Sequence, residues 1–358
     1  MRFCILLAAT LLTTQTYAQW HLQDSHTTVA LQSVHAVSEN IAWVGGAEGT
    51  VLRTQDGGTT WKSCVVPKGA EKLDFSGIQG LDENTAIVVS TGKGDLSRLY
   101  KTVDGCQTWK LVFTNPDAGG SFRSLHRMTD KQAYLLGDPV DGKFSVFYSS
   151  DGGDSWLATD DPGLDADKGA IANASLMSVG PFLLFGAHGP ASLQLYQTYS
   201  KCDPGAQSSD GCSVAWAKTE IPLNAGDPDH SEFAVAAHAS LNMRTGNVET
   251  ILVAVGDSPT GAGAAVVSRD GGKNWKFPAT SLSGNRSIIA YYAAAGSWLA
   301  VGQSGVDASS DDGKTWHPLA SVSGSSKDAA PNWSALSLPF VVGDKGQIGK
   351  MNLAKLQH

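Results

Sequence analysis

The chain has 358 residues, 42% hydrophobic and 17% charged, with 40 Gly, 14 Pro and 10 Trp. The hydrophobic fraction excludes a disordered protein, and five cysteines are too few for a disulfide scaffold. A formal net charge of −8 argues against nucleic acid or an anionic membrane as the main partner.

Asp outnumbers Glu by 27 to seven. Asp favours turns where Glu favours helices, so with the glycine the composition reads as all-β. In chain order, Met1-Arg2 leads into the short apolar run Phe3 to Leu12, and a polar stretch ends in Thr16-Tyr17-Ala18. This pattern predicts a secretory signal peptide over residues 1–18, cleaved near Ala18–Gln19. The run is too short for a membrane-spanning helix, and the remaining 19–358 are expected to form one exported domain, periplasmic or extracellular. Without Cys4, the cysteines are Cys64, Cys106, Cys202 and Cys212. Cys202 and Cys212 bracket a Pro/Gly/Ser-rich loop, and an oxidising compartment would close it with a disulfide worth about 3 kcal/mol. Pairing of Cys64 with Cys106 across neighbouring repeats stays open at this level.

An internal repeat organises the rest. Five segments share one pattern: Thr54 to Trp61 around Asp56, Thr102 to Trp109 around Asp104, Ser149 to Trp156 around Asp151, Ser268 to Trp275 around Asp270, and Ser309 to Trp316 around Asp311. A degenerate sixth copy ends at Trp216, where the Cys202–Cys212 loop interrupts the turn. The Asp carboxylate is suited to accept backbone N–H groups of the turn, glycine supplies left-handed conformations, and Trp packs beneath. Three short strands precede each such Asp-box and one follows it, as in Leu31–Val37, Ile41–Gly46, Gly49–Arg53 and Trp61–Val66. Four antiparallel strands repeating at about 40–50 residues make a propeller blade. Box tryptophans close six blades. The C-terminal stretch supplies three more strands, and Gln19-Trp20-His21-Leu22 resembles Thr60-Trp61-Lys62-Ser63, so the N-terminal strand completes a seventh. The expected fold is a seven-bladed β-propeller of four-stranded antiparallel blades.

Seven Asp-box blades behind a signal peptide resemble the photosystem II stability/assembly factor family and its bacterial non-photosynthetic relatives. The segment Gly137-Asp138-Pro139-Val140-Asp141-Gly142-Lys143-Phe144, followed by the box at Ser149 to Trp156, is typical of those relatives. The resemblance implies an assembly factor that binds partner proteins. The same box occurs in sialidases and sortilin-type receptors.

A sialidase-type or other glycoside hydrolase is the alternative. It needs an arginine triad, a tyrosine nucleophile with a glutamate, and an aspartic acid. Arg53, Arg98, Arg123, Arg127, Arg244, Arg269 and Arg286 are the arginines after the signal peptide, and Arg53 and Arg269 fall on box turns away from the axis. The sialidase Arg-Ile-Pro motif is absent, and Glu39, Glu71 and Glu83 fall in loops. Box aspartates in equivalent turns radiate outward instead of converging. Asp165-x-Asp167-x-Gly169 lacks the remaining ligands of a calcium loop. Innermost strands, aligned on a polar residue before a small one, place Gln32, Arg123, Asn173, His238, Arg286 and Trp333 around one mouth of the central channel. That ring would suit an anionic or peptide ligand. Asp138, Asp257 and Asp344, each after a glycine, belong to the same face or cap turns. His35, His126, His188 and His238 show no metal-ligand spacing, and no phosphate loop, dinucleotide fingerprint or nucleophile elbow is present. The expectation is a monomeric, non-catalytic scaffold for a protein partner or small ligand, without cofactor or metal.

Overall fold

The computed structural model describes residues 20–161, 163–167, 176–189, 191–202, 212–224, 233–241, 245–256, 263–302, 305–319 and 332–353. They form seven antiparallel sheets, the blades of a propeller. From the axis outward, blade 1 holds Leu31–Ala36, Ala42–Gly46, Val51–Thr54 and Lys62–Ser63. Blade 2 holds Phe75–Gly80, Ala86–Ser90, Arg98–Thr102 and Lys110–Thr114. Blade 3 holds Phe122–Arg127, Ala133–Val140, Lys143–Ser149 and Leu157–Ala158. Blade 4 holds Met177–Val179, Phe182–His188, Ser192–Cys202 and Cys212–Asn224. Blade 5 has Phe233–Leu241, Val248–Gly256 and Ala264–Ser268, with one bridge between Val267 and Lys276 in place of a fourth strand. Blade 6 holds Ile288–Tyr292, Ser297–Gly302, Gly305–Ser309 and His317–Pro318. Blade 7 holds Trp333–Ser337, Phe340–Gly343 and Ile348–Met351, and the N-terminal Trp20–Gln23 adds as its outer strand, with Trp20 opposite Met351.

The core lies between blades, so the second strands are covered on both faces and read as continuous apolar runs. Alternation sends successive residues to opposite neighbours. Trp43 packs with Phe75 and Val88 of blade 2, whereas Val44 packs with Phe340, Val342 and Ile348 of blade 7.

Each Asp-box is a self-contained hydrogen-bond knot. In blade 1 the Thr60 amide and hydroxyl donate to the two carboxylate oxygens of Asp56, at 2.9 and 2.6 Å. Thr54 Oγ1 donates to Asp56 at 2.9 Å and accepts the Gly58 amide at 2.8 Å. The same bonds recur around Asp104, Asp151, Asp270 and Asp311. Side-chain and backbone donation from Thr60 holds Asp56 at about 2, and Thr108 does the same for Asp104. The turn needs two consecutive left-handed residues, φ 70° and 82° at Gly57 and Gly58, which explains the Gly pair. Box tryptophans fill the seam towards the preceding blade: Trp61 meets Phe340 edge-on at 5.5 Å, and Trp156 and Trp316 are buried in similar positions.

Cys64 and Cys106 are bonded, joining the outer edge of blade 1 to the box of blade 2 with Cα atoms 5.3 Å apart. Across 42 residues the chain-entropy model gives about 4 kcal/mol. Cys202 and Cys212 stand opposite each other along the outer hairpin of blade 4. The side-chain bond expected between them lies outside the described residues.

Blade 7 closes on the indole of Trp20, 1% exposed and 6.2 Å from the Trp333 ring. Trp20→Ala is expected to cost about 4 kcal/mol, read as a lower denaturant midpoint with an unchanged slope. A loss below about 1 kcal/mol would show that the closing strand does not hold the ring.

Candidate functional site

A cavity of about 590 Å³ runs along the axis, lined by the inner strands of all seven blades. A β-bulge opens the inner strand in blades 1, 2, 3 and 7, between Leu31 and Ser33, Phe75 and Gly77, Phe122 and Ser124, and Trp333 and Ala335. The extra residue is Gln32, Ser76, Arg123 or Ser334, and each lines the cavity. A bulge re-aims one side chain without disturbing the rest of the sheet, which is why a polar residue here reaches the channel. Ser287 is the counterpart in blade 6, donating its amide to Val301.

This register corrects the sequence-derived ring. Gln32 and Arg123 line the channel. Trp333 instead sits opposite Gly343, as Leu31 sits opposite Gly46, and is buried with Trp20 one residue before the bulge. Arg286 occupies the same inward position in blade 6, 1% exposed, with Nη2 2.7 Å from Asp307. The inner strand of blade 5 has no bulge, so Phe233 pairs with Gly256 and Ala234 follows without a shift. His238 lies farther along that strand, stacked on Tyr291 at 3.7 Å. Asn173 and Asp257 lie outside the described residues. The polar-before-small pattern placed Gln32 and Arg123 correctly and missed the register in blades 5, 6 and 7. A glycine on the second strand carries the register in blades 1, 3, 5 and 7, where the large inner-strand residue faces Gly46, Gly137, Gly256 or Gly343; in blade 2 Phe75 faces Ser90.

At the mouth Arg123 donates from Nε to Asp138 Oδ2 at 2.8 Å, with Nη2 at 2.6 Å. Arg123 remains about one third exposed, so the pair holds the guanidinium in place without removing it from solvent. Asp344 accepts from Asn332 Nδ2 at 2.7 Å on its own blade. Asp167 pairs with Lys218 at 2.8 Å, so this carboxylate of the Asp165–Asp167 loop belongs to an ion pair.

The opposite end of the channel, on the box side, carries polar pairs that bridge neighbouring blades. His35 Nε2 lies 2.7 Å from Gln79 Nε2, His126 Nε2 lies 2.8 Å from Ser178 Oγ, and Ser337 Oγ accepts the Ala36 amide at 2.9 Å. Burial pulls both imidazoles down from 6.5 to about 4, with Arg127 and His126 adding to the effect at His35. Such a histidine is bound neutral in the folded state. Its contribution is full above 6.5 and is lost as pH falls from 6.5 towards 4, because the unfolded chain takes up the proton first. Denaturant midpoints should therefore drop through that window, and His35→Gln should flatten the slope. An identical pH slope in the variant would exclude His35 as the titrating group.

The family model described as photosynthesis system II assembly factor YCF48 matches residues 12–210. No curated protein matches the sequence. Among solved structures, YCF48 bound to a D1 peptide superimposes with a TM-score of 0.62 at 17% identity, covering 94% of this chain and 97% of that one. YCF48 from Cyanidioschyzon merolae gives 0.58 at 16%, covering 94% and 99%. An ancestral GH74 enzyme gives 0.59 at 13%, covering 95% of this chain but 47% of its own. At these identities the superpositions establish the propeller alone, whereas the family model spans more than half of the sequence. The chain belongs to the photosynthesis system II assembly factor YCF48 family.

Proposed function

We propose that the protein is an exported, non-catalytic scaffold that holds a segment of a partner protein at the Arg123 mouth of its channel. The observation that carries this reading is the channel wall: strand edges, hydroxyls and an amide, with one arginine held half in solvent by Asp138. Such a surface offers hydrogen bonds and one positive charge to an extended chain. Family membership and the D1 peptide carried by a structurally similar YCF48 support a polypeptide as the occupant. The apolar run after Met1-Arg2 supports export, and the net charge of −8 speaks against nucleic acid.

The sialidase-type form of the alternative needs three converging arginines. Arg53 donates to the Glu83 carbonyl, Arg98 and Arg127 pair with Asp95 and Asp130, Arg269 pairs with Asp312, and Arg286 is buried on Asp307. Each is committed to a different seam or hairpin, and only Arg123 among the described arginines lines the cavity.

The test is capture of partners from the cell envelope by the mature protein, followed by affinity measurement on the captured protein's segments. Arg123→Ala should weaken binding at least about tenfold, the loss of roughly one charge-assisted pair. Its pair with Asp138 is partly exposed, so folding should be little affected. Undiminished binding, or turnover of any member of a glycoside panel by the wild type, would overturn the reading.

A further inference from the structure

The second box differs from the other four in one residue, and from those of blades 3 and 5 in two hydrogen bonds. The second left-handed position of the turn is glycine in four boxes, Gly58, Gly153, Gly272 and Gly313, but Cys106 here, at φ 64°. A side chain in that conformation is disfavoured by about 1–2 kcal/mol, so something outside the turn must hold it. In blades 3 and 5 the box indole donates back to its own turn, Trp156 to the Gly153 carbonyl at 3.2 Å and Trp275 to the Gly272 carbonyl at 3.1 Å. Blade 2 exchanges these bonds. The Cys106 carbonyl accepts the Val65 amide at 3.3 Å, and the Trp109 indole donates instead to the Val65 carbonyl at 2.8 Å. Val65, sitting between the two, is 59% exposed and Val66 38% exposed, so little apolar burial holds this stretch. The covalent tie from Cys64 to Cys106 joins this stretch to the second box, beside the bond from the Cys64 amide to the Val51 carbonyl at 2.9 Å.

We propose that the Cys64–Cys106 disulfide is a redox latch on the seam between blades 1 and 2, with two arrangements of the second box. When oxidised, it clamps Cys64 to Val66 across the turn and takes the Trp109 indole away from its own box. A dithiol reductant opens it: its thiolate attacks Cys64 Sγ, the half-buried sulfur, because Cys106 is 5% exposed. The S–S bond breaks, Cys106 leaves as a thiolate and takes a proton, and the second thiol of the reductant displaces Cys64. Two electrons pass, leaving two protein thiols and a reductant disulfide. Val65 then lifts away, and the Trp109 indole turns to the Cys106 carbonyl as in blades 3 and 5.

The test is hydrogen exchange at the Val65 amide and the Trp109 indole in the full-length protein, oxidised and then treated with dithiothreitol. Reduction should accelerate Val65 exchange at least tenfold, shift the Trp109 indole signal, and reverse on reoxidation. The Gly271 amide, bonded to Thr250 in blade 5, serves as the internal control and should not change. A double variant, Cys64→Ser with Cys106→Gly, restores the Gly pair and should exchange fast at Val65 under both conditions. Unchanged Val65 exchange on reduction overturns the latch. So does acceleration at Gly271 as well, which would make the bond a plain structural cross-link, and so does slow Val65 exchange in the double variant.

Discussion

Closure of the ring is the constraint on which the remaining structure depends. Every blade buries two faces, one against each neighbour, so an unclosed ring would leave two faces bare and an outer strand missing. The chain solves this with four residues from its other end, Trp20 to Gln23, paired with Ile348 to Met351. The closing strand also reaches sideways. Gln23 accepts the Trp61 indole and donates to the Gly57 carbonyl, while Lys350 donates to the same carbonyl at 2.8 Å. Blade 7 is thus fastened to the first Asp-box as well as to its own sheet. Lys101 repeats that contact on the Gly152 carbonyl, linking blade 2 to blade 3.

Because the box carboxylates are satisfied within their own turns, the boxes contribute rigidity at the rim and leave the axis free. Chemistry then appears where the repeat is broken. In blade 6 the inward position held elsewhere by Leu31, Phe75, Phe122 and Trp333 is Arg286, and its partner Asp307 replaces an apolar third-strand residue. Ser283 donates its amide and hydroxyl to Asp307 and accepts from Arg286 Nη2 at 2.8 Å, so this buried pair is tied to the loop above it. Removing one partner would strand a buried charge, the costly case for such pairs, which makes Arg286 a structural residue and not a channel group.

The fold was legible because its signals are local and repeated. Asp, the Gly pair and Trp at fixed offsets define each turn, and the likeness of Trp20 to Trp61 was enough to place the closing strand. The site was less legible because it depends on register. Whether Ser334 or Trp333 faces the channel turns on a single bulge residue, and no local preference distinguishes them. Blade 5 lacks the bulge altogether, and its strand runs Phe233 to Leu241 without interruption, which carried His238 past the mouth. The pairing of Cys64 with Cys106 needed the same knowledge, since two residues 42 apart meet only once adjacent blades are in place.

A ring of seven equal blades would present seven equal groups to its axis and bind nothing in a defined orientation. The wall here is uneven. Arg123 stands at a level where blades 2, 6 and 7 offer serine and blade 1 offers an amide, and the imidazoles of His35 and His126 lie at the other end of blades 1 and 3. Both the charge and the imidazoles therefore gather on the side formed by blades 1 to 3, opposite the small and apolar Ala234 to Ala237 of blade 5. An extended chain entering the channel would meet its positive contact on one side and apolar wall on the other. Orientation follows from that asymmetry, with Asp138 fixing where the guanidinium points. In the proposed role the repeat would supply the rigid frame, and a few departures from it the recognition.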